Sequence, residues 1–564
     1  MAQRGIDAFL DLLHGAGLRF IFGNPGTTEL PLNDALLGDE RFEYILGLQE
    51  VPVMAIADGY AMASGKVGIV NLHISPGLGH AMGLLYNANR EGTSLLVTAG
   101  QQDRRLQYEE PILGSDMVSV ARPWCKWASE VPRVEDLPSA VRRALQIATT
   151  PPTGPVFLSL PLDVQLALAE LDTRPSAPIH RELHPPASAI QAAREVLLSA
   201  KNPAILAGSR VTERGAVSEL VRVAETLGAP VISESGTTHG RAAFPCTHPL
   251  HDEGLPLWSP EILARLNEFD VLLVVGMDLL RQYVYFDPPC PIPGHLRIVH
   301  IDEDAYQLGK NYPLAAAVWG NTRAALADLA MELERTIDAS WKTTAQARCE
   351  KYALKQQQIR AKILDQVKAE QTQRPLSPLT FMESLSRVLP PNVAVIEEAV
   401  TTTNRTLERL GRLPTTDGYF GHRGWALGWG LGCAIGVKLA WPDRPVLGLI
   451  GDGAAMYGIQ GLWTAAKYRI PVTFVVPNNS AYQILKIGAR GLSLPRAVEG
   501  KYLGLDLAEP AIDYVGLARA LGVEAHRVSE PEELQARVKE SWSRQDPILL
   551  EVPIERTTPA KLNY

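Results

Sequence analysis

Two sets of polar residues in this chain carry types that chemistry uses, each set against apolar runs. Gly451-Asp452-Gly453 and Asn478-Asn479 form the first, with Asp452 and Asn479 27 positions apart (479 − 452). A hard carboxylate and a hard amide oxygen suit an octahedral magnesium ion shared with a diphosphate. The glycines let backbone approach a phosphate, and a following helix offers unsatisfied N–H groups and a positive dipole end. The second set is Glu50, His73 and Thr27: a carboxylate, an imidazole and a hydroxyl fit to move protons and orient a polar substrate. Each has a plainer reading. Glu50 can complement a helix dipole, His73 can be structural, and Thr27 can be a helix N-cap.

The elements that must position these residues follow from hydrophobic pattern. Residues 446–450 and 472–476 read as buried parallel strands flanking a helix at 454–468, so both polar clusters fall at carboxyl ends of strands, where open α/β sheets bind ligands. Earlier, the strand 19–23 runs into Asn24-Pro25-Gly26-Thr27, 42–48 ends at Gln49-Glu50, and 67–72 leads into His73. Residues 94–98 lead towards Gln101, and 155–160 closes the sheet. A proline-rich linker follows at 175–186. The next unit has strands at 203–207, 271–275 and 296–301, but its Gly208 and Gly276 turns lack a full dinucleotide fingerprint, which favours a structural domain over a flavin site. A charged, glutamine-rich linker at 341–378 includes a helix at 344–371. The last unit opens with the strand 393–396, carries a small-residue helix through residue 440 and ends on a strand at 548–552. The expected fold is α/β with three doubly wound parallel sheets, in domains 1–185, 190–335 and 379–564.

Composition sets limits. At 564 residues the chain exceeds one core. Its net charge of −8 provides no basic field, which argues against nucleic-acid partners. Five scattered cysteines without metal spacing read as reduced thiols of a cytoplasmic protein. No basic-then-apolar leader precedes Gly5 and no apolar run reaches about 18 residues, which argues against export and membrane spanning.

The Gly451-Asp452-Gly453…Asn478-Asn479 pair resembles the signature of thiamine diphosphate-dependent enzymes. Gly461-Leu462-Trp463-Thr464-Ala465-Ala466-Lys467-Tyr468 is similar to the benzoylformate decarboxylase family in particular, as are Asn71-Leu72-His73 and Ala81-Met82-Gly83. The resemblance implies pyrimidine-binding, central Rossmann-like and diphosphate-binding domains, with thiamine diphosphate and Mg2+ (or Ca2+) as cofactors. Glu50 would hydrogen-bond a ring nitrogen of the aminopyrimidine and drive the imino tautomer that deprotonates the thiazolium carbon. His73 would transfer a proton at the substrate's carbonyl-derived oxygen or at the enamine carbon. Thr27, after Pro25 and Gly26, stands where the family has a serine that contacts the substrate carboxylate. His80 replaces an asparagine.

By the same resemblance Leu427 is the wedge that bends the cofactor, and backbone groups near Trp425 and Ala426 bind its aminopyrimidine. Thr401 and the turn Gly451, Gly453, Ala454, Ala455 and Tyr457 would hold the diphosphate. Asp452, Asn479 and the Ala481 carbonyl would hold the metal. Ile112, Leu113, Tyr283 and Gly488 would line the substrate pocket, and Arg423 beside His422 suits a carboxylate clamp. Two departures leave the acyl donor open. The segment ending at Asp287-Pro288 lacks the family's second histidine, and the segment after Leu485 lacks an aromatic. The implied reaction is non-oxidative decarboxylation of a 2-oxo acid to an aldehyde, with carboligation to 2-hydroxy ketones as a branch. The alternatives are an acetohydroxyacid synthase-like carboligase, a 2-hydroxyacyl-CoA lyase or a non-catalytic binding protein. A cofactor between the first domain of one subunit and the third of another implies a homodimer or homotetramer.

Overall fold

The structure, a computed structural model, describes residues 2–233, 240–256, 259–280, 290–413 and 415–556. Strands that read as unbroken apolar runs lie inside parallel sheets covered on both faces, and their side chains are buried throughout. The first sheet comprises β1 (Phe20–Gly23), β2 (Glu43–Leu46), β3 (Gly68–Leu72), β4 (Leu95–Gln101), β5 (Trp127–Glu130) and β6 (Val156–Pro161) in the order β2-β1-β3-β4-β6-β5, all parallel. The central sheet comprises β7 (Pro203–Ala207), β8 (Val231–Ser233), β9 (Val271–Val275), β10 (Arg297–Asp302) and β11 (Ala316–Trp319) in the order β8-β7-β9-β10-β11. The last comprises β12 (Ala394–Glu398), β13 (Tyr419–Phe420), β14 (Val446–Ile450), β15 (Thr473–Asn478), β16 (Glu524–Arg527) and β17 (Ile548–Pro553) in the order β13-β12-β14-β15-β17-β16. The three doubly wound parallel sheets expected from pattern are present.

The differences lie at the margins. Residues 155–160 do not close the first sheet: β6 is internal, and the edge is β5, whose Trp-Ala-Ser-Glu is only partly buried and so has no apolar run. Of the other edge strands missing from the sequence pattern, β16 is likewise mostly wet, β11 alternates buried and exposed residues, and β8 and β13 are buried but only three and two residues long. The helix expected at 454–468 is broken into Asp452–Ala455 and Gly461–Lys467, and the linker helix is longer than expected, Ala339–Glu370. Among the described residues, no helix is long and apolar enough to cross a membrane.

The first and third sheets share one hydrophobic core, whereas the central sheet has cores of its own. The joint is a helix pair, α1 (Glu50–Ser64) and α2 (Trp429–Ala440). Their backbones touch. A Cβ on Gly432 would lie 2.6 Å from Ala55 Cβ, and one on Gly436 would overlap the Ile56 carbonyl oxygen. The fully buried Trp429 donates its indole N–H to Asp58 Oδ2 at 2.6 Å, and burial pushes that carboxyl up to about 7.

Candidate active site

Glu50 is placed by the turn before it. Gln49 has an extended backbone, its side chain accepts the Val51 N–H at 2.5 Å, and α1 starts at Glu50. The turn is held from the third domain as well: Tyr468 Oη accepts the Leu46 N–H at 2.9 Å and donates to the Tyr44 carbonyl, while Thr464 donates to the Leu46 carbonyl. The helix-dipole reading is therefore satisfied, but it does not explain the burial. Glu50 is 4% exposed, and both its oxygens are engaged, Oε1 by Asn24 Nδ2 and Oε2 by His80 Nδ1, each at 3.0 Å. A carboxylate taken out of water needs such partners.

A second carboxylate, Glu29, is the hub of the loop ends. It is 1% exposed and accepts from Gly26 N–H (3.0 Å), Thr28 Oγ1 (2.8 Å), Ile74 N–H (3.3 Å) and Gly100 N–H (2.7 Å), tying together the ends of β1, β3 and β4. Its Oε2 also lies 3.2 Å from His73 Nδ1. A proton on Nδ1 directed at that carboxylate leaves Nε2 as the position that can exchange protons. The following residue, Ile74, has φ 33°, which costs a β-branched residue about 1–3 kcal/mol. Gly26 is required here because any Cβ would overlap the His73 ring. Thr27 is not an N-cap: it begins the 3₁₀ turn Thr27–Glu29 with Gly26 before it, and it is exposed, as is Pro25.

The third domain presents the other pole. Asp452 is 4% exposed, burial pushes its carboxyl up to about 6, and its Oδ2 is buried with no hydrogen-bond partner. Asn479 is also buried, its Oδ1 accepting the Ala481 N–H at 3.0 Å. The segment pairs through the Ser480 carbonyl to Leu507 and the Tyr482 N–H to Leu505, which does not use the Ala481 carbonyl. An orphaned carboxylate oxygen beside an amide and a backbone carbonyl fits a hard divalent cation such as Mg2+ or Ca2+. Among the described residues no three His, Cys, Asp or Glu side chains gather to hold a metal, so this oxygen set is not of the multi-carboxylate kind. Gly451 donates to the Glu398 carbonyl at 3.0 Å, and a Cβ on Gly453 would lie 2.7 Å from the Tyr482 ring. Ala454 and Ala455 are buried, Thr401 is partly buried and Tyr457 is half exposed. Glu398 accepts from the Gly428, Trp429 and Gly430 N–H groups at 2.8–3.1 Å, capping α2, with burial pushing it up to about 7.

Three expectations need correction. Arg423 is not a substrate clamp: its side chain is 4% exposed and pairs with Glu91 and Glu213, donating to Glu213 Oε1 at 3.2 Å at the junction of the three domains. His422 does not line a pocket either. It is 2% exposed, its Nδ1 accepts the Trp425 N–H at 3.0 Å, and burial lowers it to about 4, so it is a neutral structural ring. The Ala426 backbone is already engaged at both ends by Asn87, with N–H to Oδ1 at 3.0 Å and carbonyl from Nδ2 at 2.8 Å. Trp425 takes the left-handed φ of 63°, and Leu427 packs, partly buried, on the shared core. Ile112 is 81% exposed and Leu113 40%. The Leu113 carbonyl accepts from Ser75 Oγ at 2.6 Å, which brings it to the segment just after His73. Gly488 faces open space, and Tyr283 lies outside the described residues.

Asn24, Glu29, Asn87 and Glu398 escaped sequence reasoning, since each acts on a partner distant in the chain. For Asn24 and Glu398 an amide or carboxylate at a strand end was the available signal, whereas Asn87 lies inside the helix Ile74–Glu91 and offered none.

Family models for the thiamine pyrophosphate enzyme N-terminal binding domain, central domain and C-terminal binding domain match residues 3–119, 190–329 and 400–552. A benzoylformate decarboxylase of Pseudomonas aeruginosa is 33% identical over 98% of this chain and 99% of its own length. The chain belongs to the thiamine pyrophosphate enzyme family. An acetolactate synthase large subunit of Haemophilus influenzae is 25% identical over 96% of this chain and 92% of its own. Among solved structures, a thiamine diphosphate-dependent 4-hydroxybenzoylformate decarboxylase of Rhodococcus jostii RHA1 superposes with TM-score 0.86 at 29% identity, covering 99% of this chain and all of that one. A benzoylformate decarboxylase of Polynucleobacter necessarius gives 0.86 at 28%, covering 99% of each chain. This thiamine pyrophosphate enzyme is thus of the decarboxylase type, and its two binding domains contain the Glu50 and Asp452 clusters.

Proposed function

We propose that this enzyme carries out non-oxidative decarboxylation of a 2-oxo acid of the benzoylformate type, releasing an aldehyde, with carboligation to a 2-hydroxy ketone as a side branch. The reading rests above all on Glu50, a buried carboxylate at the rim of the first sheet whose retention a mere binding scaffold does not need. Bound thiamine diphosphate supplies a nucleophilic carbon and an electron sink for the electrons left when carbon dioxide departs. Asp452, Asn479 and the Ala481 carbonyl would hold its divalent cation, and the backbone of 451–455 with Thr401 its diphosphate. Glu50 would share a proton with its aminopyrimidine, across a subunit boundary in a homodimer or homotetramer.

His73, oriented by Glu29, would move a proton at the substrate through Nε2, and exposed Thr27 would meet the substrate carboxylate. The exposed apolar Leu113, tied beside the start of the His73 helix, favours an aryl or bulky apolar acyl group. Against the flavin-dependent synthase reading, Arg210 at the carboxyl end of β7 donates to Asp302 at 2.9 Å and Asp278 at 2.8 Å, and so fills the crest where a dinucleotide would lie.

The test is carbon dioxide release from benzoylformate, pyruvate and branched-chain 2-oxo acids by protein loaded with thiamine diphosphate and Mg2+. Benzoylformate should be turned over fastest, to benzaldehyde. Exclusive formation of acetolactate from pyruvate, or no turnover of any of the set, would replace this reading.

A further inference from the structure

We infer that Asn87, a residue of the first domain, is a positioning residue for the third-domain backbone strip that meets the aminopyrimidine, an inference that rests on the function proposed above. The helix Ile74–Glu91 carries Asn87 and Glu91 one turn apart on one face. Asn87 is 1% exposed and holds both backbone groups of Ala426, accepting the N–H on Oδ1 at 3.0 Å and donating from Nδ2 to the carbonyl at 2.8 Å. Glu91 fixes the start of the strip: its Oε2 accepts the Arg423 N–H at 2.8 Å, and its carbonyl accepts from the Arg423 side chain at 2.5 Å. Gly424 lies between, where a Cβ would be 2.1 Å from Asn87 Oδ1. Asn87, Glu91 and the Arg423 side chain are all buried within one chain, so these contacts do not depend on which surface a partner covers.

The strip needs such a hold. Trp425 has a φ of 63°, a left-handed conformation that a bulky residue rarely adopts. A trans peptide unit points its N–H and its carbonyl in opposite directions. By holding the Ala426 N–H, Asn87 therefore turns the Trp425 carbonyl away from itself; by holding the Ala426 carbonyl, it turns the Leu427 N–H away. The Trp425 N–H goes to His422 Nδ1 and the Gly428 N–H to Glu398 Oε1, each at 3.0 Å. The Leu427 N–H is thus the one donor of residues 425–428 without an acceptor among the described residues. An acceptor and a donor presented side by side complement an exocyclic amino group next to a ring nitrogen. Glu50 would serve a cofactor across the subunit boundary, whereas Asn87 would serve the one held by its own third domain.

The experiment is calorimetric titration of the cofactor-free protein with thiamine diphosphate and, separately, with inorganic pyrophosphate, both with Mg2+. Pyrophosphate would meet only the Asp452 pole and the 451–455 turn, so it reports on the fold without the strip. Asn87→Leu fills much the same space without either bond, and Asn87→Ala leaves the space open, so one serves should the other not fold. In each, thiamine diphosphate affinity should fall on the order of tenfold or more, while pyrophosphate affinity stays within about twofold of wild type. Equal losses for both ligands would reduce Asn87 to a tie between domains, and an unchanged thiamine diphosphate affinity would remove the strip from its control. Either result overturns the inference. A wild-type protein that binds pyrophosphate but not thiamine diphosphate would instead overturn the proposed function.

Discussion

The first and third domains order their strands identically, β2-β1-β3-β4-β6-β5 against β13-β12-β14-β15-β17-β16, yet the acids that face the two sites differ in how they are satisfied. In the first, the buried acids are satisfied by the protein itself: Glu29 by three N–H groups, a hydroxyl and His73, and Glu50 by Asn24 and His80. In the third, Asp452 keeps one buried oxygen with no partner. A buried, unpaired acceptor is costly unless something arrives to fill it. At the first sheet end these carboxylates are completed by the chain's own donors, whereas at the third Asp452 keeps an oxygen that a cation can complete, and a common topology serves both because function sits in the loops rather than in the strands.

Substitutions at each pole can break this contrast. The largest effect belongs to Glu50→Gln, which should lower kcat on the order of a thousandfold while leaving cofactor affinity and melting temperature almost unchanged. Loss of cofactor binding instead would mean that Glu50 is an anchor and the contrast is misdrawn. Asp452→Asn should do the reverse. Mg2+ should no longer raise the melting temperature or retain the cofactor, and the cation-free variant should be at least as stable as the cation-free wild type, since a buried charge has gone. Calorimetry with and without Mg2+ reads both.

A third substitution tests the corrected reading of His422. Its folded value near 4 lies below the ordinary 6.5, so its contribution to stability is present above pH 6.5 and is lost as pH falls towards 4, to a limit of about 3 kcal/mol. Glu398, raised to about 7, titrates with the opposite sign, so the comparison must be with His422→Gln: its deficit relative to wild type in urea unfolding should shrink between pH 7 and pH 4. A constant deficit would mean that the ring is not buried neutral. The smallest effect is expected for Asn87→Ala, which breaks two hydrogen bonds joining the poles through Ala426 and should cost about 1–3 kcal/mol. Unchanged unfolding would uncouple the two ends.

What sequence made legible follows from range. The glycine turn at 451–453 and the amide pair at 478–479 are local patterns on strong apolar strands, and they read directly. Glu50 stood out because a charge closing an apolar run demands an explanation. Glu29 did not, because three of its partners, His73, Ile74 and Gly100, lie 44 to 71 residues away. Arg423 misled for the same reason: beside a cofactor segment it reads as a clamp, and only the fold reveals that Glu91 and Glu213 hold it. The edge strands β5 and β16 were illegible because a half-wet strand has no continuous apolar signal, and β8 and β13, though buried, because two or three residues make no run.

The contact of α1 with α2, backbone against backbone, bears on how this architecture can change. Neither outer domain owns a finished surface. A fragment cut out at either linker would present a flat strip poor in side chains, with the Asp58 carboxyl or the Trp429 indole bare to water. Swapping one outer domain for that of a distant cousin should therefore fail at the seam, in folding and solubility, before catalysis is ever at stake. New substrate preferences have to be written into the rim loops, one short insertion or replacement at a time.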